Sequence, residues 1–260
     1  MLHADNTNST MEYVKMGQGK KTFVLISGIG MTSVLGSAEA VGSLYGRFLD
    51  EYTLYLFDRS MTIPSDATVA DFARDTVACL KTDGVEHAVI TGMSQGGMIA
   101  QQIALDQPDF VDKLILCSSH SSPNEQSLAL MSRWLDAAES DDVCTLNQMF
   151  VEYVYSEVTK SKFGEYFHEH ENDGTPEQCR RFATLLRACV SFDVKDHLSE
   201  IHCPTLILGS KQDRVLGEEG SLSLTRIPNS QIYLYDGYGH AVYDEAPDFL
   251  DRIEAFVNLP

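Results

Sequence analysis

The sequence predicts an α/β fold, a doubly wound and mostly parallel sheet with a block of helices inserted late in the chain. Three observations carry this. Short β-rich runs alternate with helical stretches through the first half. Those runs are nearly continuously apolar rather than alternating, which is how strands covered by helices on both faces read. The region from about Ser121 to Asp196 holds no convincing strand, yet further strand runs follow it.

Taken in order, Met11–Met16 is expected as an early antiparallel strand, followed by Thr22–Ser27 (TFVLIS) and Thr53–Phe57 (TLYLF). Thr68–Lys81 reads as a helix. Thr68 with Asp71 three residues on resembles a capping box, and Phe72, Ala73, Val77 and Leu80 form one apolar face. Ala88–Thr91 and Lys113–Cys117 are strands on either side of a helix at Gly97–Leu105. Four helices are then expected at Glu125–Ala138, Val143–Val158, Lys160–His168 and Pro176–Val190. Strands at Thr205–Leu208 and Gln231–Tyr235 resume the sheet. A last helix after Pro247 places Phe249, Leu250, Ile253, Phe256 and Val257 at helical spacing. Residues 1–120 and 197–260 are thus read as one core, and 121–196 as an excursion from its sheet.

The chain has 260 residues, with 19 Lys+Arg against 38 Asp+Glu and a formal charge of −19. That length can bury about 70–75% of the unfolded chain's surface. An acidic chain without a basic cluster repels phosphate at long range, so neither nucleic acid nor an anionic membrane is expected as a partner. No apolar run approaches the ~18 residues of a membrane-spanning helix. The start lacks the basic and apolar regions of a secretory signal, and a cytoplasmic location is expected. Six cysteines without a CxxC pair read as small core hydrophobes, not a disulfide framework or zinc module. His168-Glu169-His170-Glu171 reads as solvated charge, and neither metal nor cofactor is expected.

The sharpest chemical signal is Gly92-Met93-Ser94-Gln95-Gly96, between the strand Ala88–Thr91 and a helix. A serine on a strained strand-to-helix turn projects its hydroxyl above the sheet, and small residues two before and two after let the backbone turn. The helix behind it points N–H groups and a positive dipole end at the site. Serine is a poor nucleophile without a base. His240, in the loop after strand Gln231–Tyr235, is the candidate base. Asp213, in the loop after strand Thr205–Leu208, is the candidate carboxylate that orients it. Loops leaving the carboxyl ends of parallel strands are where ligand-site residues collect.

With these residues in hand the chain resembles the α/β-hydrolase superfamily, in the capped group that contains carboxylesterases, lipases and carbon–carbon bond hydrolases. The resemblance runs through SGIGM (Ser27–Met31), GMSQGG (Gly92–Gly97), CPTLILGSKQD (Cys203–Asp213) and GHAVYDEAPDFLDRIEAFV (Gly239–Val257). It implies Ser94 as nucleophile, His240 as general base and acid, and Asp213 as orienting acid. It also implies an oxyanion hole made by the backbone N–H groups of Gln95 and Ile29, and a helical cap at 121–196. Two stretches depart from the family pattern. Ser27-Gly28 stands where relatives usually carry His-Gly, and Phe57-Asp58-Arg59-Ser60-Met61 stands where a Gly-containing Asp-x-Arg-Gly loop is common. Asp58 is read as structural. Ser118–Ser122, where some relatives place the acid, contains no Asp, which favours Asp213. A Ser at the nucleophile position disfavours dehalogenase and epoxide-hydrolase chemistry.

The implied reaction is hydrolysis of a small to medium, partly apolar carboxylic ester through an acyl-enzyme. Carbon–carbon hydrolysis or a lyase reaction on the same triad is an alternative, as is a ligand-binding receptor that kept the architecture. Met149, Phe150, Tyr153, Tyr155, Phe163, Tyr166 and Phe167 are candidates to line the substrate pocket, although such a stripe also suits a helix–helix core. His120 lies near the expected entrance and reads first as a surface histidine. The negative net charge favours neutral over anionic substrates.

Overall fold

The computed structural model describes residues 2–3 and 9–259. Its strands are β1 (Leu2–His3), β2 (Met11–Met16), β3 (Lys21–Ile26), β4 (Tyr52–Arg59), β5 (Ala88–Met93), β6 (Val111–Cys117), β7 (Thr205–Ser210) and β8 (Ser230–Tyr235). They form one sheet in the order β1-β2-β4-β3-β5-β6-β7-β8. β2 runs antiparallel to β4 and to β1, and every other pairing is parallel. The expected α/β class and the antiparallel start are therefore both present.

The continuous apolar runs are buried as their pattern requires. β3, β5 and β6 occupy the middle of the sheet, and Phe23, Val24, Leu25, Ile26, Leu114 and Leu116 are inaccessible. Two cores result. One face packs under α2 (Val69–Thr82), α3 (Gln95–Asp106) and part of the inserted helices. The other packs under α1 (Ala38–Leu44) and the C-terminal helix (Phe249–Val257), whose Phe249, Leu250, Ile253, Phe256 and Val257 all point inward. β8 lies at the sheet edge and is the most exposed of the long strands.

Local chemistry sets the helix ends. Thr68 caps α2, with its hydroxyl accepting from Asp71 N and the Asp71 side chain accepting from Thr68 N. Between β6 and β7 come α4 (Glu125–Glu139), α5 (Val143–Val154), α6 (Glu157–Glu169) and α7 (Pro176–Val190). Asn124 and Thr175 close capping boxes on α4 and α7, and Pro176 occupies the first turn of α7, where its missing N–H is no loss. The expected helix Val143–Val158 breaks at Tyr155. Tyr155 is extended at ψ 152°, and Ser156 starts a new helix by accepting from Thr159 N. Residues α8 (Glu218–Ser223), α9 (Val242–Glu245) and α10 (Phe249–Val257) complete the chain. Of these, α1, α8 and α9 lack a sequence signal, being four to seven residues long.

Candidate active site

Ser94 sits between β5 and α3 with φ 51° and ψ −116°, a conformation that L-residues rarely adopt. The glycines two before and two after it explain how the turn closes. A Cβ on Gly92 would fall 2.2 Å from the Gly96 carbonyl oxygen, and one on Gly96 would fall 2.0 Å from the Ile26 oxygen. The strained residue is held from both sides. Ser94 N donates to Cys117 O at 2.8 Å, and Ser119 Oγ donates to Ser94 O at 2.9 Å.

Asp213 and His240 meet although 27 residues separate them. His240 Nδ1 lies 2.8 Å from Asp213 Oδ2, and both side chains are almost completely buried. The second carboxylate oxygen of Asp213 accepts from the N–H groups of Val215 and Leu216 at 2.8 and 2.9 Å. Such charge-assisted bonds fix the carboxylate, and it in turn fixes the imidazole. Asp58 is placed elsewhere, at the end of β4, and its partners make it structural. It accepts from Val34 N (2.8 Å), Arg59 N (2.7 Å) and Arg181 Nη2 (3.1 Å).

Ser94 and His240 line one small enclosed chamber of about 20 Å³ together with Gly28, Ile29, Trp134 and Phe150. The loop after β3 presses against the serine, so that a Cβ on Gly28 would stand 3.2 Å from Ser94 Cβ. Neither Ile29 N nor Gln95 N donates to a protein acceptor among the described residues. A cleft of about 350 Å³ shares Gly28, Ile29, Phe150, Val154 and Tyr243 with this chamber. A larger cleft of about 650 Å³, lined by Lys15, Lys21, Asp83 and His87 among others, includes none of these residues.

The inserted helices grip the site at three points that the sequence did not reveal. Arg181 of α7 donates to Gly30 O (3.0 Å), Ser60 O (3.1 Å), Arg59 O (2.6 Å) and Asp58. Arg59, fully buried, donates to Ser27 O and Gly28 O at 2.5 Å each. Burial lowers the Arg59 pKa, and neighbouring Asp58 opposes that shift. Two arginines around one aspartate thus tie the Ser27–Gly30 loop to the 57–61 stretch, the two places that depart from the family pattern. Gln95 uses its side chain as the second grip, donating to Leu185 O at 2.7 Å and to Cys189 Sγ at 3.1 Å. Burial pushes the Cys189 thiol up to about 12. The third grip is Glu245, which accepts from Gly239 N (2.8 Å) in the histidine loop and from Ser156 N and Oγ (2.9 and 2.7 Å) at the start of α6. Ala241 N also donates to Val154 O, freed where α5 ends.

Two expectations are corrected. His120 is not on the surface: it is 1% exposed, and neither ring nitrogen has a partner. Burial, then the proximity of His240, lowers its pKa to about 4, against the opposing pull of Asp213 and Asp193. The cause is the turn after β6, which carries Ser118–Ser121 inward beneath α3 and α8; Gln101 Nε2 of α3 donates to His120 O. Of the aromatic stripe, Phe150 lines the chamber and cleft, and Tyr155 lines the cleft. Met149 packs on the core, Tyr153 lines a separate groove beside Asp213, and Phe167 stacks on Tyr155. Phe163 and Tyr166 are 44% and 56% exposed, because α6 buries no face completely. His168 and His170 are exposed, with no metal-binding cluster among the described residues. Among the described residues no disulfide is formed; four of the six cysteines are buried and Cys144 and Cys203 partly so.

A strand–Ser–helix elbow below a buried Asp–His pair, on a parallel sheet interrupted by helices, defines the α/β-hydrolase architecture. Residues 22–247 match the alpha/beta hydrolase fold family, and the chain belongs to it. Among curated proteins it is 25% identical to the "Putative carbamate hydrolase RutD" of Agrobacterium fabrum, over 88% of this chain and 90% of that one. An alpha/beta hydrolase from a Medee basin deep-sea metagenome superposes with a TM-score of 0.87 at 20% identity, covering 96% of this chain and 94% of the other. The enol-lactonase of Burkholderia xenovorans superposes at 0.84 with 13% identity, covering 99% and 100%.

Proposed function

We propose that the protein is a serine hydrolase that cleaves small to medium, partly apolar carboxylic esters through an acyl-enzyme, with Ser94, His240 and Asp213 as its triad. The carrying observation is the 2.8 Å Asp213–His240 contact beside a chamber that His240 shares with Ser94. Ser94 Oγ attacks the acyl carbonyl while His240 Nε2 takes the hydroxyl proton. Asp213 keeps the Nδ1–H tautomer and stabilises the imidazolium. The oxyanion is received by the N–H groups of Gln95 and Ile29, a contribution typically worth about 10²–10³ in turnover per donor. His240 returns the proton to the leaving alcohol, and the same steps with water free the acid.

The volumes divide the substrate. A chamber of about 20 Å³ leaves room beside Ser94 for little more than the reacting carbonyl and a short group. The longer arm occupies the cleft of about 350 Å³. The family resemblance and the carbamate and lactone names of similar proteins support acyl transfer as the chemistry. Residues 121–196 act as the cap, with Phe150, Val154 and Tyr155 as its contribution to the cleft wall.

The test is hydrolysis of short-chain acyl esters by the wild type and by Ser94→Ala. Loss of at least about 10³-fold in kcat is expected, together with loss of labelling by a fluorophosphonate. Unchanged turnover in the purified variant overturns the reading. Rapid consumption of a vinylogous 1,5-diketone with slow ester turnover points to carbon–carbon cleavage, and absence of any adduct at Ser94 points to a binding protein.

A further inference from the structure

The chamber that holds Ser94 is bordered by a hydrogen-bond donor that the proposed chemistry does not use. Trp134, the chain's sole tryptophan, lines it from α4 and is 1% exposed, yet its Nε1–H has no acceptor. Of the buried side-chain polar atoms without a partner among the described residues, it alone belongs to a residue lining the chamber or the cleft of about 350 Å³. Apolar rings fix the indole: Phe150 stacks on it at 5.8 Å between centroids, and Phe182 meets it near edge-on at 6.2 Å. Met98, Met131, Val154 and Val215, which share the chamber wall, carry no side-chain oxygen. A buried tryptophan ordinarily satisfies its N–H, and leaving it unmet away from water is destabilising. The clefts of about 350, 620 and 650 Å³ do not include Trp134, so an acceptor reaches it through the chamber.

From this we infer that Trp134 is a specificity-determining residue, whose Nε1–H binds an uncharged acceptor oxygen, an ether or a carbonyl, on the short group attached to the scissile ester. The inference rests on Ser94 being the nucleophile of an ester hydrolase, and it narrows the substrate class of that same site to esters whose short side carries an oxygen. No lysine or arginine lines the chamber, so an anionic acceptor would lack a counter-charge there, whereas an ether or ketone oxygen needs only the one donor. The flexible side chains of Met98 and Met131 let the wall adjust to the group.

The experiment uses two pairs of esters matched in shape. Hexyl methoxyacetate against hexyl butanoate places the oxygen on the acyl side, and methoxyethyl hexanoate against butyl hexanoate places it on the alcohol side. Each kcat/KM ratio is divided by the ratio for alkaline hydrolysis, which removes intrinsic reactivity. In the wild type one pair is expected to favour the oxygen-bearing ester by at least about fivefold, and that pair identifies the side of the ester that the chamber holds. In Trp134→Phe the preference falls towards one. A sole tryptophan also permits replacement throughout the protein by its benzothiophene analogue, which exchanges N–H for sulfur at almost the same shape. The preference is expected to fall there too, through a higher KM for the oxygen-bearing ester at similar kcat, whereas a packing role alone would preserve it. Binding to Ser94→Ala reads the donor without turnover: the indole N–H band of the Raman spectrum should shift with one of the two methoxy esters and with neither alkyl ester. Absence of ester hydrolysis with that shift intact sinks the esterase reading alone. Corrected ratios near one in both pairs, a preference that the analogue retains, or no shift in Ser94→Ala overturns the role of Trp134.

Discussion

At the scale of single residues, the triad candidates were legible because each is announced locally. Ser94 stands in a five-residue pattern, and Asp213 and His240 each follow their own apolar run. Replacing Asp213 with Asn removes the acceptor that selects the His240 tautomer, so kcat should fall by about 10³–10⁴-fold with little change in KM; a loss below tenfold shows that another carboxylate orients the imidazole. His120 was not legible, because nothing in its neighbours tells a buried loop histidine from an exposed one. Its burial has a pH consequence whose sign is fixed. The unfolded chain takes up a proton at this position near pH 6.5, whereas the folded protein does so only near pH 4. Stability contributed by the neutral ring is therefore lost as pH falls from about 6.5, by on the order of 3 kcal/mol once pH 4 is reached. Asp244, raised instead of lowered, works in the opposite direction over about pH 6 to 4 but is common to wild type and a His120 variant. The urea stability difference between wild type and His120→Leu should accordingly move against the wild type from pH 7 to pH 4. Parallel profiles refute the burial argument.

At the scale of elements, the boundaries that depend on local chemistry agree with the sequence reading. Pro176–Val190 and the Thr68 capping box are examples. The elements that surprised are those whose shape is set by distant partners. The break at Tyr155 lets Val154 O accept from Ala241 N and lets Ser156 donate to Glu245, so the α5–α6 elbow is cut to fit the histidine loop. Arg181 is similar: in sequence it is one of two adjacent arginines on an amphipathic helix, and only the fold carries it to Gly30 and Asp58. On the proposed mechanism it is a positioning residue, since it holds Gly30 O in the loop that carries Ile29 N. Arg181→Met should lower kcat by about ten- to a hundredfold while changing KM less, with a slower fluorophosphonate reaction at Ser94. Removing one partner from a buried charge cluster also destabilises, by about 3–5 kcal/mol, so kcat is to be referred to folded protein by active-site titration. Arg181→Lys, which keeps the charge but not the fork of donors, should recover stability more than rate. Equal kcat in folded Arg181→Met and wild type shows that the network only holds the cap down.

For the whole molecule, charge and architecture point to one measurable property. A surplus of nineteen negative charges surrounds a cleft whose lining includes Asp58 and Asp244 and no lysine or arginine. Clefts with low-dielectric walls focus such a field, so an anionic ester meets repulsion on approach while a neutral one does not. The field is long-ranged only in dilute salt: the Debye length is about 30 Å at 0.01 M and about 8 Å at 0.15 M. Raising the salt between these limits should therefore increase kcat/KM for an ester bearing a remote carboxylate by several-fold. The same change should leave a neutral ester of equal length nearly unaffected and should lower kcat/KM for a cationic one. Measured at one pH with three esters of the same acyl group, the three slopes separate long-range steering from contacts made inside the cleft. Steering belongs to the acidic surface and vanishes with salt, whereas a preference built into the cleft survives at 0.15 M. An anionic ester that outperforms the neutral one in dilute salt contradicts both the surface charge argument and the lining of the cleft.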